Sequence, residues 1–426
     1  MQSSADIGYA QERKFERRQF SKNICYSICV KDAKERKLMS YQGQALDISE
    51  IGMGMKTDIP LAPGNMLWFN SGIQDRAGYV KYCISMDSGY RIGIELNGKH
   101  VQTLDEATDV FLGKLQEVEN QCTRPGADGG KLLKATREAI DDMLACCKEF
   151  EQVTRDIEII KDARIRFRIK TDHILSKSYC INRARTWPQG QQGDYKTLEV
   201  AYKNTPLSEG IGYYLDYYLL NSSLGTAVRG RLEKLEDILR DELRKRKKLS
   251  VLNIASGSCR EVFALSSDIE ASGARFTCID IDNDALDFAA KRLSYTNISP
   301  LSSNLVKFRK YNALRMFDHE LNMEEFGPQD IIYSVGFFDY LQSEFLAKLF
   351  KVLYSLLSPG GKLIASFKDA EQYRHQDYHW LVDWDGFLQR TEKDFMKIFS
   401  DAAIPLSRIS LSREESGVIV FYVIEK

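Results

Sequence analysis

The chain has 426 residues, 43% hydrophobic and 28% charged, a length that calls for two or three domains rather than one core. Its formal net charge of −1 gives no global basic field, so a nucleic-acid partner is not indicated and any anion site must be local. No apolar run approaches the roughly 18 residues of a membrane span and no signal-peptide core opens the sequence. Nine cysteines lie scattered without CxxC or Cys/His clusters, so a cytoplasmic chain with reduced thiols and no metal site is expected.

The first hundred residues read as all-β. Short apolar runs at 24–30, 44–48, 66–69, 78–84 and 90–96 are separated by turn signals such as Ser71-Gly72 and Asp87-Ser88-Gly89, the spacing of a small antiparallel barrel. A basic arm, QERKFERRQF at 11–20, precedes them, and Asp47-x-Ser49-x-x-Gly52 ends the second run. Arg13-x-x-x-Arg17 followed by Asp47-x-Ser49-x-x-Gly52 resembles the signature of the PilZ domain, a receptor for cyclic di-GMP. Glu12 stands where that family usually has a further basic residue, and a shifted register through Lys14 and Arg18, preceded by Arg13, fits as well. The resemblance implies that Arg13, Arg17, Arg18, Asp47, Ser49 and Gly52 hold the ligand. The residue types suit it: guanidinium groups fork onto phosphate and stack on flat bases. Asp47 can accept from guanine N–H groups, Ser49 can bond phosphate or base, and Gly52 permits close approach.

From 104 to 170 the pattern turns helical. Apolar positions in 105–122, a turn at Pro125-Gly126 and Gly129-Gly130, and apolar positions in 131–162 predict a helical hairpin joining two domains. Part of its apolar stripe is also a candidate dimer seam. Residues 163–170, ARIRFRIK, alternate basic and apolar side chains; an amphipathic segment against the hairpin explains them better than a basic strand for nucleic acid. Residues 171–248 read as a helical cap rich in tyrosine (Tyr202, Tyr213, Tyr214, Tyr217, Tyr218), suited to core packing or to lining a cavity for an apolar substrate with a polar end.

From 249 onward strand and helix alternate. Strands are predicted at 251–254, 276–279, 306–309, 331–334 and 362–367, and the pieces at 406–411 and 418–424 form a hairpin that adds an antiparallel strand to a parallel sheet. The first strand runs into a small-residue turn, Ala255-Ser256-Gly257-Ser258, before a helix, where a ligand can approach the backbone and meet free N–H groups. The second ends on Asp280, placed to accept hydrogen bonds from a ribose diol. This organisation resembles the Rossmann-like class I S-adenosylmethionine-dependent methyltransferase fold. Its motifs match in order: NIASGSC at 253–259, the ribose acid Asp280 with Ile281 beside it, YNA at 311–313 near adenine, and 334–340 after the fourth strand. The resemblance implies cofactor contacts from Asn253, Ala255, Gly257, Asp280, Ile281, Asn312, Ala313 and Ser334. Ala255 and Cys259 stand where glycines are usual, and Asn253 and Asn312 where acids are.

Within that superfamily, SVGFFDYL at 334–341, AVRGRLEKL at 227–235 and DWDGFLQRT at 383–391 are similar to the extracellular-factor, or 3-hydroxypalmitic acid methyl ester, biosynthesis proteins. That implies methyl transfer to a carboxylate on a fatty acyl chain. A carboxylate is ionised at neutral pH and needs a cation rather than a base, for which Arg229, Arg231 and Arg390 are candidates. Asp339 and Tyr340 are placed to act on a hydroxyl or amine or to shape the pocket. His375 and His379 would supply a base only for a neutral nucleophile. The leading expectation is therefore a cyclic di-GMP-responsive methyltransferase using S-adenosylmethionine. A non-catalytic effector that keeps the sheet as an interaction platform is the rival. A dinucleotide oxidoreductase is disfavoured by the single Gly257 and the terminal hairpin. The expected divisions are a barrel at 1–103, connector at 104–170, cap at 171–248 and methyltransferase core at 249–426.

Overall fold

The computed structural model of the protein describes residues 17–31, 36–49, 51–73, 77–96, 98–154, 156–294 and 304–426; Arg13 lies outside them. Two compact units emerge, Met1–Leu175 and Ser176–Lys426, so the connector helices group with the barrel and the cap helices with the sheet.

In the first unit, β1 (Arg18–Lys31), β2 (Arg36–Ile48), β3 (Gly52–Thr57), β4 (Met66–Ser71), β5 (Ala77–Met86) and β6 (Gly89–Leu96) close an antiparallel barrel in the order β1-β2-β3-β6-β5-β4. The sequence reading missed β3, because GMGMKT lacks the β-branched and aromatic residues that mark strands. Its Met53 and Met55 nonetheless point inward, packing with Ile24, Tyr26, Val80, Ile92 and Ile94. Three helices follow: α1 (Gly98–Cys122), α2 (Gly129–Thr154) and α3 (Ile157–Leu175). The expected second helix is thus two. Asp156 separates them by accepting from the amides of Glu158 and Ile159 (3.0 and 3.3 Å), a side-chain cap that starts a new helix. The ARIRFRIK segment lies inside α3, with Phe167 stacked on Phe111 of α1 and Arg166 over the Trp68 ring of β4 at 4.3 Å. The stripe residues Phe111, Leu115, Val118, Ile140, Met143 and Leu144 are buried.

The second unit opens with α4 (Tyr179–Thr186), α5 (Tyr195–Lys203), α6 (Ile211–Leu220) and α7 (Ser223–Lys245). Ser178, Asp194 and Ser222 cap α4, α5 and α7 with their side-chain oxygens. Then come β7 (Ser250–Ile254), α8 (Arg260–Ala264), α9 (Ser266–Ser272), β8 (Arg275–Asp280), α10 (Asn283–Ser294), β9 (Val306–Lys310), α11 (His319–Phe326), β10 (Gln329–Val335), α12 (Ser343–Leu356), β11 (Leu357–Lys368), α13 (Glu392–Asp401), β12 (Ile409–Arg413) and β13 (Ile419–Glu425). The sheet order is β12-β13-β11-β10-β7-β8-β9. Strands β7 to β11 run parallel, while β13 is antiparallel to both β11 and β12. This is the methyltransferase-like α/β architecture expected from the sequence. An aromatic cluster of Phe338, Phe350, Phe367, Phe395, Phe399 and Tyr422 fixes β11 against α12 and α13. The order reverses between β7 and β10, and the loops at the C-terminal ends of these strands form the crevice where such sheets hold ligands.

Glu236 on α7 gives this unit a pH signature. Burial pushes its carboxyl up from 4.5 to about 7. The folded state then holds a proton that the unfolded chain has lost, so stability present at low pH falls as pH rises from about 4.5 to 7. Because Arg240 and solvent offset part of the penalty, the loss should be on the order of 1 kcal/mol. Urea titrations of Glu236→Gln are expected to lack this decline.

Candidate functional site

The turn after β7 sets the crevice floor. Ala255, Gly257 and Cys259 have φ of 54°, 53° and 47°, so three alternate residues adopt the left-handed conformation although only one is glycine. A methyl group on Gly257 would meet nothing within 4 Å, so the turn presents bare backbone to the crevice. An L-residue in that conformation costs about 1–2 kcal/mol. Ala255→Gly is therefore expected to stabilise the protein by about 0.5–1 kcal/mol after glycine's added unfolded-state freedom, read as a higher urea midpoint.

Asp280 closes the same turn. Its Oδ2 accepts from the Gly257 amide at 2.7 Å and its Oδ1 from the Asp282 amide at 2.9 Å. Burial pushes the carboxyl up, opposed by these backbone bonds. Ala255, Gly257, Asp280, Ile281, Asn312 and Ala313 all line one cavity of about 590 Å³. Asn253 and Ser334 do not. Asn253 Nδ2 donates to Glu261 Oε1 (2.9 Å), and Ser334 Oγ to the Ile254 carbonyl (2.7 Å). Both brace strand ends beneath the cavity. Tyr333 also donates to Glu261 (2.8 Å), so Glu261 supplies beside Asn253 the buried acid that the sequence lacks at that position.

Helix α5 roofs the cavity with Tyr195, Leu198 and Ala201 and is clasped to the turn by Glu199. That carboxylate accepts from Ser258 Oγ (2.7 Å), Arg260 Nη1 (3.0 Å) and Arg292 Nη2 (2.5 Å). The cavity also has an apolar lining, with Leu220, Leu224, Val228, Trp384 and Phe387 in its wall. Arg231 and Tyr340 line the same cavity. Arg231 is buried at 3% exposure and lies against Gly336, its Nη1 3.0 Å from where a β-carbon there would be. Burial and the adjacent Asp339 push the Tyr340 hydroxyl up, so it stays protonated at neutral pH.

Other candidates fall outside the lining. Arg229 donates to the Leu220 carbonyl at 2.8 Å and the Ala201 carbonyl at 3.3 Å, a structural use of its charge. Arg390 is bonded to the Leu341 carbonyl and Ser343. Asp339 is ion-paired with Lys368. His375 bonds Gln376 (2.9 Å), and His379 packs on the Phe387 ring. The cavity tyrosines are Tyr195, Tyr311, Tyr340 and Tyr378; the cluster from Tyr202 to Tyr218 packs elsewhere. Lys368, which does line the cavity, was missed. Its signal was a charge ending the apolar strand 362–367, the same cue that identified Asp280.

The barrel carries its own constellation. Arg17 Nη1 bonds Asp47 Oδ1 at 2.5 Å, and Arg91 Nη2 approaches Asp47 Oδ2 at 3.4 Å. Ser49 donates through its amide (2.7 Å) and hydroxyl (3.2 Å) to the Gly52 carbonyl. A β-carbon on Gly52 would lie 3.4 Å from Arg17 and 3.7 Å from Ser49 Oγ. Arg17, Asp47, Ser49 and Gly52 are therefore neighbours, while Arg18 is exposed at the start of β1. Sequence reading missed Arg91, which β6 delivers from the other side of β3.

No family model matches the chain, and no curated protein matches it. Among solved structures it is similar to a possible exported protein from Bordetella parapertussis, with 15% identity over 75% of this chain and 96% of the other and a TM-score of 0.46. It is also similar to magnesium protoporphyrin IX methyltransferase from Synechocystis PCC 6803 with bound SAH (14% identity, 49% and 87% covered, TM-score 0.37). A third is a putative O-methyltransferase from Nostoc punctiforme (14%, 59% and 72%, TM-score 0.37). Among the described residues no helix is long and apolar enough to cross a membrane.

Proposed function

We propose that the second unit binds S-adenosylmethionine and methylates a carboxylate of a fatty-acid-like small molecule. The observation that carries this is one cavity that gathers Asp280, Gly257, Asn312 and Ala313 from the ends of β7, β8 and β9 and, against Gly336 at the end of β10, Arg231. When bound, the cofactor supplies an electrophilic methyl: the acceptor oxygen forms the C–O bond as the C–S bond breaks, sulfur keeps the electron pair, and no proton moves. The protein's own part is positional. Asp280 holds the ribose diol, the turn at Gly257 underlies the amino-acid portion, Arg231 compensates the acceptor's charge as it leaves water, and the apolar wall excludes solvent.

Calorimetry on the full chain is expected to give one S-adenosylmethionine site and none for NAD; no binding of the former would overturn the reading. Steady-state kinetics of Arg231→Met should show lost turnover with cofactor affinity kept within about twofold. If the acceptor proves to be an amine, Arg231 loses this role. The non-catalytic alternative drew its support from the missing glycines. The left-handed backbone kept at Ala255 and Cys259 weakens that support.

For the first unit we infer a cyclic di-GMP receptor of the PilZ type that regulates methyl transfer. Its support is the meeting of Arg17, Asp47, Ser49 and Gly52 at one end of the barrel.

A further inference from the structure

We propose that Lys368 is a second cation for the acceptor carboxylate, paired with Arg231, and that together they make the cavity select an acid over its methyl ester. This rests on the carboxylate-acceptor reading of the same cavity. Lys368 ends β11 in the cavity wall at 8% exposure. Its ammonium lies 4.8 Å from the Phe387 ring centre and 5.8 Å from that of Tyr340. An ammonium carries three N–H donors; one goes to Asp339 Oδ2, and the other Asp339 oxygen accepts from the Lys368 amide at 3.3 Å. Donors remain for a ligand.

Arg231 lines the same cavity; its Nε is buried without a partner among the described residues, and its Nη2 makes a long bond of 3.5 Å to the Tyr202 hydroxyl. Glu261 is within Coulomb range of it but takes its hydrogen bonds from Asn253 and Tyr333. The two cations feel each other: burial pushes the Lys368 ammonium down, Asp339 opposes that, and the Arg231 charge adds to it. An anion between them would relieve this repulsion and complete both donor sets, since charge-assisted bonds are the strong ones. Methylation removes that anion. The ester keeps its apolar chain but forfeits the hold of both cations, which favours product departure.

The test is calorimetry of the full chain with dodecanoate and methyl dodecanoate. The wild type is expected to prefer the acid by at least tenfold. Lys368→Met alone leaves Asp339 buried and uncompensated, so the informative protein is the double variant Lys368→Met with Asp339→Asn. It should bind the ester like wild type but lose about tenfold for the acid, and Lys368→Arg should restore the preference. If the double variant keeps the full acid preference while Arg231→Met loses it, Lys368 is not a carboxylate ligand and the acceptor reading stands. If the wild type shows no acid preference, the carboxylate reading falls and this inference with it.

Discussion

Asp280→Ala is expected to weaken S-adenosylmethionine binding by roughly 1.5–3 kcal/mol, the range for a lost hydrogen bond to a charged group, or about 10- to 150-fold in dissociation constant. The size follows from the double use of this carboxylate. Asp280 accepts from the Gly257 and Asp282 amides, so alanine removes a ribose acceptor and also frees the turn that carries the amino-acid portion. Asp280→Asn separates the two effects. It keeps the shape and one acceptor oxygen but turns an amide N–H group toward one of those donors. Calorimetry should rank wild type above the asparagine variant and that above alanine. Because burial pushes the Asp280 carboxyl up, protonation reaches it sooner than an ordinary aspartate. Affinity should therefore fall on acidification while pH is still above the usual aspartate range. Undiminished affinity in Asp280→Ala would remove Asp280 from the ribose.

Most of the second unit was legible because its central strands β7, β10, β11 and β13 are largely buried and read as mostly apolar runs, while the residues that end such strands stand out. Asp280 was found that way. Lys368 ends β11 by the same logic, but the run 362–367 was read for its strand and not for its last residue. The turn at 255–259 was harder, since side-chain identity suggested a degraded motif while the backbone holds left-handed φ without glycine. Local identity cannot report strain sustained by surrounding contacts. Asn253 and Glu261 show a second limit. The acid absent from one position arrives from the following helix, eight residues on, and only the fold brings the two together. In the barrel, β3 escaped because its glycines and methionines carry little strand preference; Met53 and Met55 are inward through tertiary packing. Arg91 could not have been linked to Asp47 by spacing at all.

Arg17→Ala is expected to abolish cyclic di-GMP binding, weakening it by more than 100-fold, together with any response of methyl transfer to the ligand. In the structure Arg17 is paired with Asp47, their side chains 27% and 18% exposed. A pair exposed to that degree contributes only about 0–1 kcal/mol, so a phosphate that engages the guanidinium in two parallel bonds can displace the carboxylate. Displacement would leave Asp47 free to accept from guanine N–H groups, with Arg91 at 3.4 Å still tempering its charge. The same small value means Arg17→Ala should cost the free protein no more than about 1 kcal/mol of stability. Lost binding without lost folding is then the signature of a ligand contact. Regulation adds a further requirement. The ligand must bind two states of the protein with different affinity, and a factor of ten in that affinity is about 1.4 kcal/mol. Titrations of wild type and Arg17→Ala followed by calorimetry and turnover measure both quantities. Equal titration curves would remove Arg17 from the ligand site. Wild-type binding that leaves turnover unchanged would keep the receptor and discard the switch.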